Sequence, residues 1–312
     1  LGDKLRKNMR IFENTKYGFI RSRMKAYIFS GTLIVLSIIS LAVHGLKLGI
    51  DFKGGMEFVV ESDVPLDVTA VRSALADKLG VQPEVKNSGG KDLLVRTLSE
   101  GDISQRKAQI LEGLSEAFPE SKPHIEKTYV VSPRFAEDLK EGAIYSVFGS
   151  LLVIFLYILI RFEWRFGIGA VVALFHDVTI TLGAFALLHG FLPFSLQIDQ
   201  AIIAAFLTIV GYSLNDTVVI FDRIREYANL YKADSYDDVV DRSINNTLSR
   251  TVITSGTTLL VVITLFIFGG EVLRGFAFAL IIGIMIGTYS SIFVASPIVV
   301  ELRKRTAVKR RR

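Results

Sequence analysis

Polar and apolar positions are distributed in two ways along this chain. In six stretches the apolar residues run almost unbroken: 26–45, 143–162, 166–190, 198–221, 252–270 and 275–300. Each approaches or exceeds the ~20 residues that a helix needs to cross a bilayer core, so the pattern predicts six transmembrane helices. The first block, "AYIFSGTLIVLSIISLAVHG", is longer than the ~7–15-residue core of a cleaved signal and has no small-x-small site close to its end. It is therefore expected to stay in the membrane. Between the first two blocks the pattern shortens. "GIDFKGGMEFVVES" (49–62) reads as a Gly54-Gly55 turn running into a strand, with Asp51 just ahead of it. "DVTAVRSALADKLG" (67–80) has Val68, Val71, Leu75 and Leu79 at helical spacing behind Asp67 as N-cap. Strands at "VQPEVKN" and "DLLVRT", a helix at 102–118 and a strand at 124–131 complete a β-α-β-β-α-β order, the ferredoxin-like unit.

Composition and charge add the orientation. Half of the 312 residues are hydrophobic and the mean hydropathy is +0.43, too apolar for a soluble chain of this length. The net charge of +5 is not spread evenly. Lys and Arg crowd residues 1–25, "RFEWR" (161–165), 222–250 and the tail, whereas the short loops 191–197 and 269–275 hold one between them. This is the positive-inside pattern, and a long translocated domain is exempt from it. Both termini are thus expected in the cytoplasm. The tail "RKRTAVKRRR" reads as an orientation signal touching anionic lipid rather than as an RNA-binding segment. Cysteine is absent, so no disulfide staples the inserted domain.

The fold class is an α-helical polytopic membrane protein with six transmembrane helices and one small α+β, ferredoxin-like, extracytoplasmic domain between helices 1 and 2. The expected organisation is a basic arm at 1–25, helix 1 at 26–45, the α+β domain at 46–142, helices 2–6 at 143–301 with a cytoplasmic loop at 222–250, and a basic tail at 302–312. "SPRFAEDLKEGA" (132–143) reads as an amphipathic lead into helix 2, and 222–250 contains two helical pieces.

Candidate chemistry lies inside the membrane blocks. Helix 4 carries Thr208, Tyr212, Asn215, Asp216 and Asp222 in one stripe, and helix 5 answers with Arg250, Thr254, Thr257, Thr258 and Thr264. An ionised Asp at the bilayer centre costs roughly 2.5–3.5 kcal/mol on insertion scales, so the two stripes are expected to face each other or a hydrated cleft. Asp216 lies about 9 Å of helix rise from Asp222, at a depth where Arg250 is a plausible partner. Two readings compete: a permanent Asp216–Arg250 pair that fixes packing, and a carboxylate that binds and releases a proton as the Arg moves. Intramembrane carboxylates favour the second, with Asn215, Thr254 and Thr257 ordering water along a path. Asp177 and His176 in helix 3 are a second candidate, with a packing role equally open. His44 and His189 read as interfacial; Asp222, Arg223 and Arg225 read as solvated boundary charges. Gly275, Ala279, Gly283, Gly287, Ser291 and Ala295 form a small-residue stripe for close helix packing, as do Gly169, Ala173, Asp177 and Thr181. No catalytic cluster, metal-ligand spacing or cofactor motif appears.

The motifs "GIDFKGG", "LFHDVTITLG", "GYSLNDTVVIFDRIRE" and "NNTLSRTVITSGTT" resemble those of the SecF family of protein-export membrane proteins, or the SecF half of a fused SecDF, within the resistance-nodulation-division superfamily. The resemblance spans nearly the whole chain. It implies a bacterial cytoplasmic (inner) membrane protein, multi-pass, that works with SecD, separate or fused, beside the SecYEG channel and a YidC-type insertase. Its cargo would be an unfolded preprotein and its energy source the proton-motive force; no nucleic acid is involved. Carried over, the family's intramembrane carboxylate falls on Asp216 and its basic partner on Arg250. Leu1 in place of Met leaves room for fusion or processing. Two other readings stand beside this one: half of a proton-driven lipid or drug exporter, and a non-conducting scaffold of the translocon. A hydrolase has no nucleophile–base pair to support it.

Overall fold

The structure, a computed structural model, describes residue 12 and residues 15–98 and 102–311, with side chains to residue 306. Most of the basic arm and the end of the basic tail lie outside the described residues. The first apolar block is helix α1 (Arg23–His44). A single turn, α2 (Ile50–Lys53), leads into the inserted domain: β1 (Gly55–Glu61), α3 (Val68–Leu79), β2 (Glu84–Gly89), β3 (Asp92–Leu98), α4 (Ile103–Ala117) and β4 (His124–Val131). The sheet order is β2-β3-β1-β4, antiparallel throughout, as the ferredoxin-like pattern predicts. Met56, Phe58 and Val60 alternate along β1 onto one face. There they join Val71, Leu75, Ile110 and Leu114 from α3 and α4, and Val85, Leu93 and Val95 from the neighbouring strands. Asp67 caps α3 by accepting from the Ala70 amide, as its position requires.

The Gly54-Gly55 pair makes the turn into β1 for two separate reasons. Gly54 has φ +78°, which side-chain-bearing residues seldom adopt. A Cβ on Gly55 would lie 2.6 Å from the Thr97 carbonyl oxygen, so β1 and β3 close only over a bare backbone.

From β4 the chain enters α5 (Pro133–Arg161) through the Ser132 cap, then α6 (Trp164–Leu188), α7 (Gln200–Leu230), α8 (Tyr236–Phe268), α9 (Gly270–Ser290), a π-helical turn (Ser291–Ala295) and α10 (Ser296–Arg311). Six helices are long and apolar enough to cross a membrane, the last formed by α9, the π-turn and the start of α10. The two helical pieces expected within 222–250 are the end of α7 and the beginning of α8, continuous with the spans and joined by residues 231–235. At 1.5 Å per residue these helices are about 46 and 50 Å long, more than the ~30 Å hydrocarbon core, so their polar ends continue beyond it without breaking.

Helices α6, α7 and α9 form the centre of the membrane body, while α5 is almost unburied along its most apolar stretch. Small residues set the spacing. A Cβ on Gly283 would overlap the Ile209 side chain, one on Gly287 would meet Ser213 Cβ at 2.9 Å, and one on Gly275 the Ser195 carbonyl oxygen at 3.2 Å. The stripe read from the sequence is thus the α9 surface against α7 and its leading loop. Gly169 plays the same part between α6 and the π-turn, where a Cβ would lie 3.0 Å from the Ala295 carbonyl oxygen. Two apolar layers result. One, beside the inserted domain, holds Phe185, Phe206, Ile209 and Leu280. The other, toward the tail, holds Phe166, Ile220, Phe221 and Val299. Positions between them in α6, α7 and α9 are polar and buried.

Candidate functional site

The polar middle layer contains two carboxylates. Asp216 in α7 is 4% exposed. Its Oδ2 accepts from Ser255 Oγ of α8 at 3.2 Å, and Ser255 Oγ accepts from Thr288 Oγ1 of α9 at 2.8 Å. One carboxylate therefore ties three helices through two hydroxyls. Arg250 is exposed, and no ion pair joins it to Asp216 among the described residues. The direct contact expected from helical spacing is absent because Arg250 lies past the apolar part of α8, where water competes for its charge. Asn215 is exposed beside Asp216, and Thr254 is half-buried. Thr257 is exposed and donates to the Ile253 and Thr254 carbonyls of its own helix. Thr208, Thr258 and Thr264 likewise bond backward along their own helices. Threonine satisfies itself in this way, so a threonine stripe does not have to face protein. Ser255 and Thr288, which the sequence reading missed, carry the contacts to Asp216 instead.

Asp177 is fully buried in α6. Its Oδ2 accepts from Ser213 Oγ of α7 at 2.5 Å and Ser290 Oγ of α9 at 2.8 Å, and its Oδ1 lies 2.9 Å from His176 Nδ1. On the far side, His176 Nε2 lies 3.1 Å from Ser30 Oγ of α1. Ser30 Oγ is 3.1 Å from Tyr289 Oη, which donates to the Ala26 carbonyl at 3.0 Å. With an ionised Asp177 the Nδ1 proton points at the carboxylate. The cluster joins α1, α6, α7 and α9 through side-chain contacts.

A third polar group lies where the inserted domain meets the helices. Lys86 Nζ of β2 is 3.0 Å from Glu84 Oε1 and 3.9 Å from Asp199 Oδ2. Arg96 of β3 contacts Glu57 Oε2 at 2.6 Å, Glu84 Oε2 at 3.8 Å and Asp199 Oδ2 at 3.8 Å. Asp199 is also the N-cap of α7, accepting from the Ile202 amide. Ser195, in the loop before α7, donates to Glu84, and the Asn87 amide of β2 donates to Glu271 Oε2 in the first turn of α9 at 2.8 Å. Backbone bonds reinforce the joint: Gly49 N to the Ile198 carbonyl at 2.8 Å, and Ile198 N to the Lys47 carbonyl at 2.7 Å. Asp51 Oδ2 accepts from the Gln200 amide at 3.0 Å. Burial pushes the Glu84 carboxyl up, but Lys86, Ser195 and Arg96 outweigh it and hold the group below its usual range. Arg96 is also buried, yet Glu84, Glu57 and Asp199 raise it further above its usual value. These are five charges removed from water, which persist only when mutually paired.

The same two helices recur at both places. Helix α7 begins at Asp199 and carries Ser213 and Asp216; α9 begins beside Glu271 and carries Thr288 and Ser290. No group of three or more His, Cys, Asp or Glu suited to a metal occurs among the described residues.

Residues 112–305 match the family model for the C-terminal region of protein export membrane protein SecD/SecF, and residues 39–65 match the SecD/SecF GG motif. The Gly54-Gly55 turn falls inside the second. The chain is 67% identical over 303 residues to protein translocase subunit SecF of Rhodothermus marinus, covering 97% of this chain and 98% of that one. To SecF of Vibrio alginolyticus it is 42% identical over 288 residues, 91% of this chain and 89% of that one. The crystal structure of SecDF from Thermus thermophilus, a translocon-associated membrane protein, matches with a TM-score of 0.79 and 35% identity over 93% of this chain. The match occupies 39% of that longer chain. With the near-complete coverage by SecF relatives, the chain belongs to the SecF family of protein translocase subunits.

Proposed function

We propose that this SecF chain works with a SecD partner at the SecYEG channel, using the proton-motive force to assist preprotein passage and release on the outer face of the bacterial cytoplasmic membrane. The inserted domain lies on that outer face and both termini are cytoplasmic. Asp216 is the proton carrier. The observation that carries this reading is a buried carboxylate within an apolar span, held by a single hydroxyl and no ion pair among the described residues, on the helix whose first residues dock the inserted domain. Protonation neutralises the carboxylate and weakens its bond to Ser255, loosening the tie among α7, α8 and α9. Arg250 acts through its field from the tail side, and the His176–Asp177 cluster is a second place where a proton is held.

The energy scale is adequate. One charge moved through 100 mV is worth about 2.3 kcal/mol, enough to shift a two-state equilibrium by a factor of several tens. Because α7 and α9 pass from the polar layer to the charged joint, a small change in their relative position reaches the inserted domain directly.

The test compares wild type with Asp216→Asn, each reconstituted with SecD and SecYEG in vesicles, following late preprotein translocation with and without an imposed proton gradient. The gradient should accelerate wild type only, with equal assembly of both. An equal response in both overturns the role of Asp216. Orientation is checked independently by single-cysteine labelling of intact cells, which the cysteine-free sequence makes direct.

A further inference from the structure

At the tail-side ends of α6, α7, α8 and α10 lies a pocket of about 140 Å³ into which Arg165, Arg225 and Arg303 converge, with Tyr236 and Glu163 at its wall. Three guanidinium groups meet one carboxylate. Glu163 takes Arg165 Nη1 at 2.7 Å. Among the described residues no carboxylate is in ion-pair contact with Arg225 or Arg303. Both are exposed: Arg225 has a 3.4 Å bond to the Arg161 carbonyl, and Arg303 stacks on the Tyr236 ring with Cζ 3.9 Å from its centroid and hydrogen-bonds the same side chain. Arg165 Nε is shielded from solvent and donates to nothing.

The surrounding basic residues behave differently. Arg161 pairs with Asp222, Arg223 with Glu226, Arg242 with Asp234 and Lys304 with Asp237. Those residues each have a carboxylate of their own, whereas three guanidinium groups line this one pocket with Glu163 alone among them. Guanidinium forks match phosphate oxygens in geometry.

We propose that this pocket binds a phosphate group, supplied by an anionic lipid headgroup or by a soluble phosphate. The phosphate is held between the guanidinium groups of Arg165, Arg225 and Arg303 and neutralises their excess over Glu163. It links the ends of α6, α7 and α10, with α8 held through Tyr236. The proposal is independent of proton coupling at Asp216.

The full chain in phosphatidylcholine nanodiscs containing phosphatidylglycerol tests it, with retained phosphatidylglycerol counted by native mass spectrometry and inorganic phosphate binding measured separately. Wild type should retain phosphatidylglycerol or bind phosphate at this site. Arg165→Gln with Arg303→Gln should weaken binding by about ten-fold or more. Arg165→Lys, which keeps the charge but loses the fork, should weaken it less and guards against misfolding. Lys304→Gln with Arg305→Gln should leave it unchanged. Pocket-dependent phosphatidylglycerol retention identifies a lipid source, and pocket-dependent binding of inorganic phosphate alone identifies a soluble one. Equal binding of both probes by wild type and all pocket variants overturns the site, as does an equal drop in the Lys304/Arg305 variant.

Discussion

Ser255 is the residue whose role its type least advertises. It is the only side chain that hydrogen-bonds Asp216 among the described residues, and it passes the link on to Thr288. Ser255→Ala removes a hydroxyl donated to a buried carboxylate, a loss of about 1–3 kcal/mol. Its expected result is a lowered thermal midpoint in nanodiscs and, in the translocation assay, a diminished response to the proton gradient. Asp177→Asn should be the more destabilising substitution, because the carboxylate accepts from Ser213, Ser290 and His176 together. A carboxamide cannot accept on both of its ends. The measurement is the same thermal midpoint, with a larger fall for Asp177→Asn than for Asp216→Asn. Asp216 and Asp177 stood out in the sequence because a carboxylate within an apolar run is conspicuous. Their partners did not: serine and threonine are ordinary in membrane helices, and only the packed bundle brings Ser213 and Ser290 to Asp177 and Ser255 to Asp216.

At the scale of elements, the α7–α9 contact is fixed by the absence of side chains. Gly283→Leu would drive a branched chain into Ile209, and overpacking of this kind costs about 1–3 kcal/mol. The expected outcome is loss of cross-linking between cysteines placed on α7 and α9, whereas a substitution of similar size at exposed Met285 should have little effect. That α9 packs closely on a neighbour was legible beforehand, because small residues at i, i+4 spacing let another backbone approach; that the neighbour is α7 was not. The lengths of α7 and α8 were less legible. Hydropathy marks where a helix leaves the hydrocarbon, not where its hydrogen bonding stops, so 222–250 read as a loop with helical pieces. The threonine stripe of α8 misled for a related reason: its hydroxyls are satisfied by carbonyls one turn back.

For the whole molecule, the charged joint decides how firmly the inserted domain follows the helices. Glu84 titrates below its usual range when docked, so the stability it contributes is complete above the ordinary glutamate range and is lost as pH falls through the lowered value. The protection factors of the β2 amides, with the intrinsic pH dependence of exchange divided out, should therefore be high at neutral pH and fall on acidification below the carboxylate range. Asp199→Asn should lower them already at neutral pH by depriving Lys86 and Arg96 of one anion. The domain's β-α-β-β-α-β order could be read from the sequence, since each element repeats a local period. Its docking could not. Glu57, Glu84, Lys86, Arg96 and Asp199 lie up to 142 positions apart, and each alone reads as a surface charge.

The π-turn at Ser291–Ala295 has a consequence for tolerance to length change. A π-turn accommodates one residue more than the α-helix around it, and here the Ser296 hydroxyl occupies the Ser291 carbonyl. Removing one residue from this turn should let α9 and α10 join as a regular helix with both flanks still in phase. Removing one from the middle of α9 would instead rotate everything beyond it by about 100°, carrying Gly287 off Ser213 of α7 and Ser290 off Asp177 of α6. The final span thus contains one short segment where its length is adjustable, bounded by stretches where it is not.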